Sequence, residues 1–150
     1  MIPTNLRFDG SFWVNMDITL RHLDHLIGRM IAPLRISVIE WYIMRALIEE
    51  DGQHASELAR AVGRAATSFT PNLDKLQARG LIERRPDPSD RRAVRIHLTE
   101  QGKQLRPEIN RMASEIEAYF RERFEPEELD AFLSVMAELQ SFEMEDEAFS

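Results

Sequence analysis

The chain has 150 residues, 43% hydrophobic and 30% charged, with a formal net charge of -7 and no cysteine. This length and composition suit one domain-sized core, while the lack of cysteine excludes disulfides, a thiolate zinc ribbon and a thiol redox sensor. No apolar run approaches the roughly 18 residues that a membrane span needs, and Met1 to Gly10 lacks the basic start and apolar core of an export signal, so a cytoplasmic location away from membranes is expected.

From Phe12 to Ile31 the apolar residues Met16, Leu20, Leu23, Ile27 and Met30 recur at spacings of four and three, which predicts an amphipathic helix that Pro33 ends. Ser37 followed three residues later by Glu40 is a capping-box pair for a second helix. Trp41, Met44, Arg45 and Ile48 lie on one side of that helix and Ile39, Ile43 and Leu47 on another, so neighbours should cover it on both sides. Asp51 and Gly52 stop it.

A short helix is expected over Ala55 to Val62, closed by Gly63. Another begins within two or three residues and runs to Arg79, with Gly80 just past its end. So tight a connection predicts a helix-turn-helix, whose second helix offers one face to a DNA major groove. Burying Phe69, Leu73 and Leu76 leaves Thr67, Thr70, Pro71, Asp74 and Ala78 opposite, flanked by Ser68 and Lys75.

Leu81 to Arg85 and Ala93 to Thr99 read as strands, the second alternating Val94, Ile96 and Leu98 with Arg95 and His97. Pro86 to Arg92 joins them as a long basic tip. Thr99 caps a further helix that runs to about Phe124 and bends near Pro107. After Glu125-Pro126, the residues Leu129, Phe132, Leu133, Met136 and Leu139 mark a last amphipathic helix, and Glu143 to Ser150 reads as an acidic tail that is frayed over 146–150.

This order predicts a mainly α fold with a small β-hairpin wing. A winged helix-turn-helix lobe spans 37–103, and outer helices span 12–33 and 104–145. The outer helices carry more apolar surface than so small a core covers, which predicts a homodimer. Residues 54–106 hold 11 Lys and Arg against 6 Asp and Glu, whereas residues 107–150 hold 3 against 13. A basic middle in an acidic chain suits double-stranded DNA as partner.

Asp87-Pro88-Ser89-Asp90-Arg91-Arg92, with Leu98-Thr99-Glu100-Gln101-Gly102 after it, resembles the D-x-x-D-R-R wing tip and closing L-T-x-x-G of the MarR family of winged helix-turn-helix regulators. Glu57-Leu58-Ala59 and Leu76-Gln77-Ala78-Arg79-Gly80-Leu81-Ile82 resemble two more of its fixed points, so the likeness is close over Ser37 to Gly102 and extends to the outer helices by layout. The resemblance implies a homodimeric transcriptional repressor on a pseudo-palindromic operator, with recognition helices in major grooves and wings in flanking minor grooves. It puts Arg92 at the minor-groove position with Asp90 orienting it. Arg91, Arg84, Arg85 and Lys75 become candidates for phosphate contact, and Thr67, Ser68, Thr70 and Pro71 for the groove-facing helix.

Two positions depart from the family pattern. Ala65 stands where many members carry an acid that pairs with the wing arginine, and Pro71 stands where many carry arginine. Thr70-Pro71 resembles the branch of organic-hydroperoxide sensors, whose chemistry needs the cysteine this chain lacks. Pro71 also predicts a recognition helix that bends or begins close to it.

The resemblance further implies a small aromatic or phenolic effector, held between the dimerisation helices and the DNA-binding lobe. Trp41 and Arg45, one turn apart, offer an aromatic wall and a carboxylate partner, with His25 nearby on the first helix; the same tryptophan also reads as core. His22 and His25 stand at i, i+3, but no cysteine joins them, and no metal or cofactor is expected. No nucleophile with its base, P-loop or GxGxxG is found, so no enzymatic activity is expected. The alternative to a DNA-binding regulator is a winged-helix adaptor for proteins, against which the basic wing and the helix hydroxyls argue.

Overall fold

Ser37 opens the helix around which the lobe is built. Its hydroxyl accepts from the Glu40 amide at 3.2 Å while the Glu40 carboxylate accepts from the Ser37 N–H at 2.9 Å, and this reciprocal cap starts α2 (Val38–Glu49). Trp41, Ile43, Met44 and Leu47 are all buried, and α2 touches α1 (Phe12–Met30), α3 (Ala55–Val62), α4 (Ala66–Ala78) and β3 (Val94–Leu98). The helix that is apolar nearly all round is therefore the central one, as its sequence requires. The computed structural model describes residues 6–63 and 66–142, without the side chains of 66–68. The expectations for Ala65, for the side chains of Thr67 and Ser68 and for the tail from Glu143 fall outside these described residues.

The helix-turn-helix forms where the spacing predicts it. His54 leads into α3, with its N–H donated to the Glu57 carboxylate at 2.7 Å, and Gly63 leaves α3 in the left-handed region at φ +65°. In α4 the side chains of Phe69, Leu73 and Leu76 are buried, while Thr70, Pro71, Asp74, Lys75 and Ala78 are exposed. Pro71 lies inside α4 rather than at its start. So near the first turn, a proline removes only one helical hydrogen bond, and the apolar stripe on the other face holds the helix through it. At the far end Gly80, at φ +70°, lets the Leu81 N–H reach back to the Leu76 carbonyl at 3.0 Å.

The predicted hairpin, β2 (Ile82–Pro86) and β3, is antiparallel with Arg84 opposite Ile96 and Arg85 opposite Arg95. A third strand, β1 (Gln53–His54), extends it in the order β1-β3-β2. Two residues carry no readable alternation, and what creates β1 is Gly52: at φ +79° it turns its N–H onto the Ile96 carbonyl at 3.0 Å, and a Cβ there would stand 2.7 Å from the His97 ring. Asp51 pins the same corner by accepting from the Leu98 N–H at 2.8 Å and contacting His97 Nδ1 at 3.0 Å. Burial opposes its charge, but those two hydrogen bonds outweigh it and hold the Asp51 carboxyl below its usual value.

Thr99 caps α5 (Glu100–Gln104) through the Gly102 amide at 3.0 Å, and α6 (Arg106–Arg121) follows after a break at Leu105. The predicted bend is thus a break just before Pro107, and α6 ends three residues short of Phe124. The chain divides into two units, Met1–Ala113 and Ser114–Ser150. In the first, Phe12, Trp13 and Leu20 of α1 are exposed. In the second, no described residue of α7 (Pro126–Gln140) is buried, and Phe132, Leu133 and Val135 stand open. Among the described residues, no helix is long and apolar enough to cross a membrane.

Candidate nucleic-acid interface

Asp87 is the anchor of the wing. It sits just past β2 with its side chain only 2% exposed, where an unpaired carboxylate would be costly. Oδ1 accepts from the Ser89 amide at 2.7 Å, the Ser89 hydroxyl at 2.6 Å and the Asp90 amide at 3.3 Å, and Oδ2 accepts from Arg95 Nε at 2.6 Å and lies 3.0 Å from His54 Nε2. The Ser89 hydrogen bonds, aided by the Arg95 charge and opposed by burial, hold the Asp87 carboxyl far below the usual carboxylate range. Arg95 also donates to the Gly52 carbonyl at 2.8 Å, and His54 Nδ1 lies 3.2 Å from the Val94 carbonyl. One carboxylate thus ties the wing loop to β3 and to the residue that leads into the helix-turn-helix.

Above this anchor the tip is a β-turn. The Asp87 N–H donates to the Ala93 carbonyl and the Ala93 N–H to the Asp90 carbonyl, both at 3.0 Å, which puts Arg91 and Arg92 at the two corner positions. The Asp90 side chain accepts the Arg92 N–H at 2.9 Å, a short polar side chain completing the turn locally. The Arg92 side chain is 94% exposed, its Nε 3.9 Å from Asp90. Arg91 is also exposed. Two cations therefore project from a fixed loop.

The remaining candidate cations fare differently. Lys75 is exposed on α4. Arg85 is paired with Glu83 on its own strand. Arg84 reaches back to α4, where it donates to Asp74 at 2.7 Å and to Gln77. Arg79, just past the end of α4, donates to the carbonyls of Arg35 at 2.6 Å and Leu34 at 3.2 Å and so fastens α4 to the α1–α2 connection.

A family model described as the MarR family matches residues 36–93, the span that holds α2, the helix-turn-helix and the wing tip. Over these residues the chain is similar to the MarR family. A MarR transcriptional regulator from Methanosarcina mazei Go1 is 27% identical, with 85% of this chain and 96% of that chain covered and a TM-score of 0.72. The transcriptional repressor CouR, in a structure bound to a 23-mer DNA duplex, is 25% identical, with 83% and 89% covered and a TM-score of 0.75. CouR from Rhodococcus jostii RHA1 bound to p-coumaroyl-CoA gives 18% identity over 92% and 97%, with a TM-score of 0.77, a likeness of fold.

Within this lobe, Trp41 is 2% exposed with Arg45 stacked 5.0 Å from its ring centroid. Its indole Nε1 is buried without a hydrogen-bond partner. His25 is exposed on α1, and no hydrogen bond or ion pair joins it to Trp41 or Arg45 among the described residues. Asp87, Arg95 and His54 were missed as a unit by reading the sequence. The available signal was Asp87-Pro88-Ser89, an Asx-turn pattern, followed by Arg95, which strand alternation puts on the polar face.

Proposed function

We propose that the protein is a homodimeric, ligand-responsive transcriptional repressor that binds a pseudo-palindromic operator through α4 and the wing. The observation that carries this reading is Arg92, almost fully exposed at the corner of a turn that Asp87 and Asp90 hold in place. An arginine on a thin, rigid hairpin suits a narrow and electrically negative minor groove, while the exposed Thr70 and Pro71 of α4 meet base edges and Lys75 and Arg91 meet phosphates. CouR, which shares the fold, is a repressor bound to duplex DNA, and this supports the assignment. The lobe over residues 37–103 serves as the DNA-binding part. The helices over 12–33 and 104–145 serve dimerisation, since a second copy would cover Trp13 and Leu20 in one unit and Phe132 and Leu133 in the other.

The test is duplex binding across a salt series. Affinity should fall roughly 10³-fold or more between 50 and 200 mM salt, in proportion to the phosphates contacted. Arg92→Ala should cost about 1 to 3 kcal/mol in operator binding without changing the oligomeric state. Absent or salt-indifferent binding would instead support the protein-adaptor reading.

The unpartnered Trp41 indole favours a second part of this proposal. A buried donor left unpaired costs about 1 to 3 kcal/mol, so a ligand bringing an acceptor to Nε1 and an anion to Arg45 would relieve it. That chemistry fits a small aromatic or phenolic acid, and CouR holding p-coumaroyl-CoA supports the class. Because α2 touches both α1 and α4, such a ligand would bias the spacing of the recognition helices. Added p-coumarate should weaken DNA binding about 5- to 150-fold, and Trp41→Phe or Arg45→Ala should abolish that release. Equal release from all three proteins would remove this site.

A further inference from the structure

Arg84 is the cation whose surroundings differ most from what its sequence position suggests. It lies on the inner face of β2, two residues after the buried Ile82 and opposite the buried Ile96, at the edge where the sheet meets α4. Its guanidinium is directed onto α4. Nη2 donates to Asp74 Oδ1 at 2.7 Å and Nη1 donates to Gln77 Oε1, so the two arms of the fork span one turn of the recognition helix. The Arg84 side chain is 31% exposed, a third of the value at Arg92.

We infer that Arg84 is a positioning residue that sets the recognition helix against the wing strand and so governs operator specificity, and that it makes no phosphate contact. The inference rests on the DNA-binding reading and deepens it. Both terminal nitrogens of Arg84 already donate to α4, so turning the guanidinium toward a phosphate would compete with these bonds and weaken the neutralisation of Asp74 on the exposed face of α4. In place, it cancels that charge and fixes the helix by two points on one stripe. Base readout depends on where the helix lies in the groove, whereas attraction to phosphates depends only on free cations. Losing Arg84 should therefore erode discrimination between sequences and leave the general attraction intact.

The experiment uses the full chain and two duplexes, one enriched from a random library by the wild-type protein and one of random sequence, each titrated across salt. Arg84→Ala should weaken the enriched duplex about tenfold, leave the random duplex within about twofold and keep the salt slope. Arg84→Lys should behave in the same way, because one ammonium cannot span Asp74 and Gln77. Asp74→Ala, an exposed change that favours helix, breaks the same contact and should also lower the ratio of enriched to random binding. It tests the idea even if an Arg84 variant folds poorly. Equal weakening of both duplexes by Arg84→Ala, with a slope lower by about 0.9 per arginine and recovery in Arg84→Lys, would identify a phosphate contact and overturn the inference. An unchanged ratio in Asp74→Ala would overturn it as well. A wild-type protein that binds neither duplex would overturn the DNA-binding reading itself.

Discussion

Gly102→Ala is expected to be the most destabilising of the glycine-to-alanine changes, lowering the thermal unfolding midpoint by roughly 10 °C. A Cβ at Gly102 would stand 2.0 Å from the Leu81 carbonyl oxygen, and backbone cannot rotate aside as a side chain does. That carbonyl already accepts the Thr99 N–H at 3.1 Å, and the Thr99 hydroxyl donates to the Gly80 carbonyl at 2.5 Å while capping α5 at Gly102. Moving α5 away would therefore undo the joint between the end of α4, the end of β3 and α5 together. Overpacking of this kind costs about 3 kcal/mol, which corresponds to that shift for a chain of this size. Gly63 provides the contrast. It has a left-handed φ of +65° but open space around it, so Gly63→Ala should cost only about 1 kcal/mol, for strain alone. Thermal unfolding followed by circular dichroism would decide, and equal midpoints for the two variants would refute the steric argument.

The same joint illustrates what the sequence makes legible. The string from Leu98 to Gly102 could be matched to a family pattern, and Thr99 read as a cap, because both signals are local. The reason only glycine fits at 102 depends on Leu81, which lies far away along the chain. The helices followed from apolar spacing, down to the buried trio Phe69, Leu73 and Leu76, because burial of one face is a property of sequence period. The strand Gln53–His54 did not, since two residues have no period and their pairing is imposed by Gly52 and Ile96. At the candidate site, the exposed tip arginines could be named from the sequence. The roles of Arg84 and Arg85 could not, because charge alone does not say whether a guanidinium is engaged by a neighbour such as Asp74 or Glu83.

Asp87 carries this distinction furthest, and Asp87→Ala should reduce operator binding about 50-fold or more, toward the upper range for losing a specific arginine contact, although Asp87 touches no DNA in the proposed complex. Its removal releases the amides of Ser89 and Asp90 and leaves Arg95 and His54 without their shared carboxylate, so the turn that presents Arg91 and Arg92 loses its base. The isostere Asp87→Asn separates charge from shape and gives a pH signature. The folded carboxyl titrates far below its unfolded value of about 3.9, so its stabilisation is complete above about pH 4 and is lost as pH falls through the folded value. Urea midpoints of wild type and Asp87→Asn should therefore differ most at pH 7 and converge as the pH is lowered below about 4. A difference that stays constant down to pH 2 would mean that the Asp87 charge contributes nothing to the wing, and the rigid presentation of Arg92 would then need another cause.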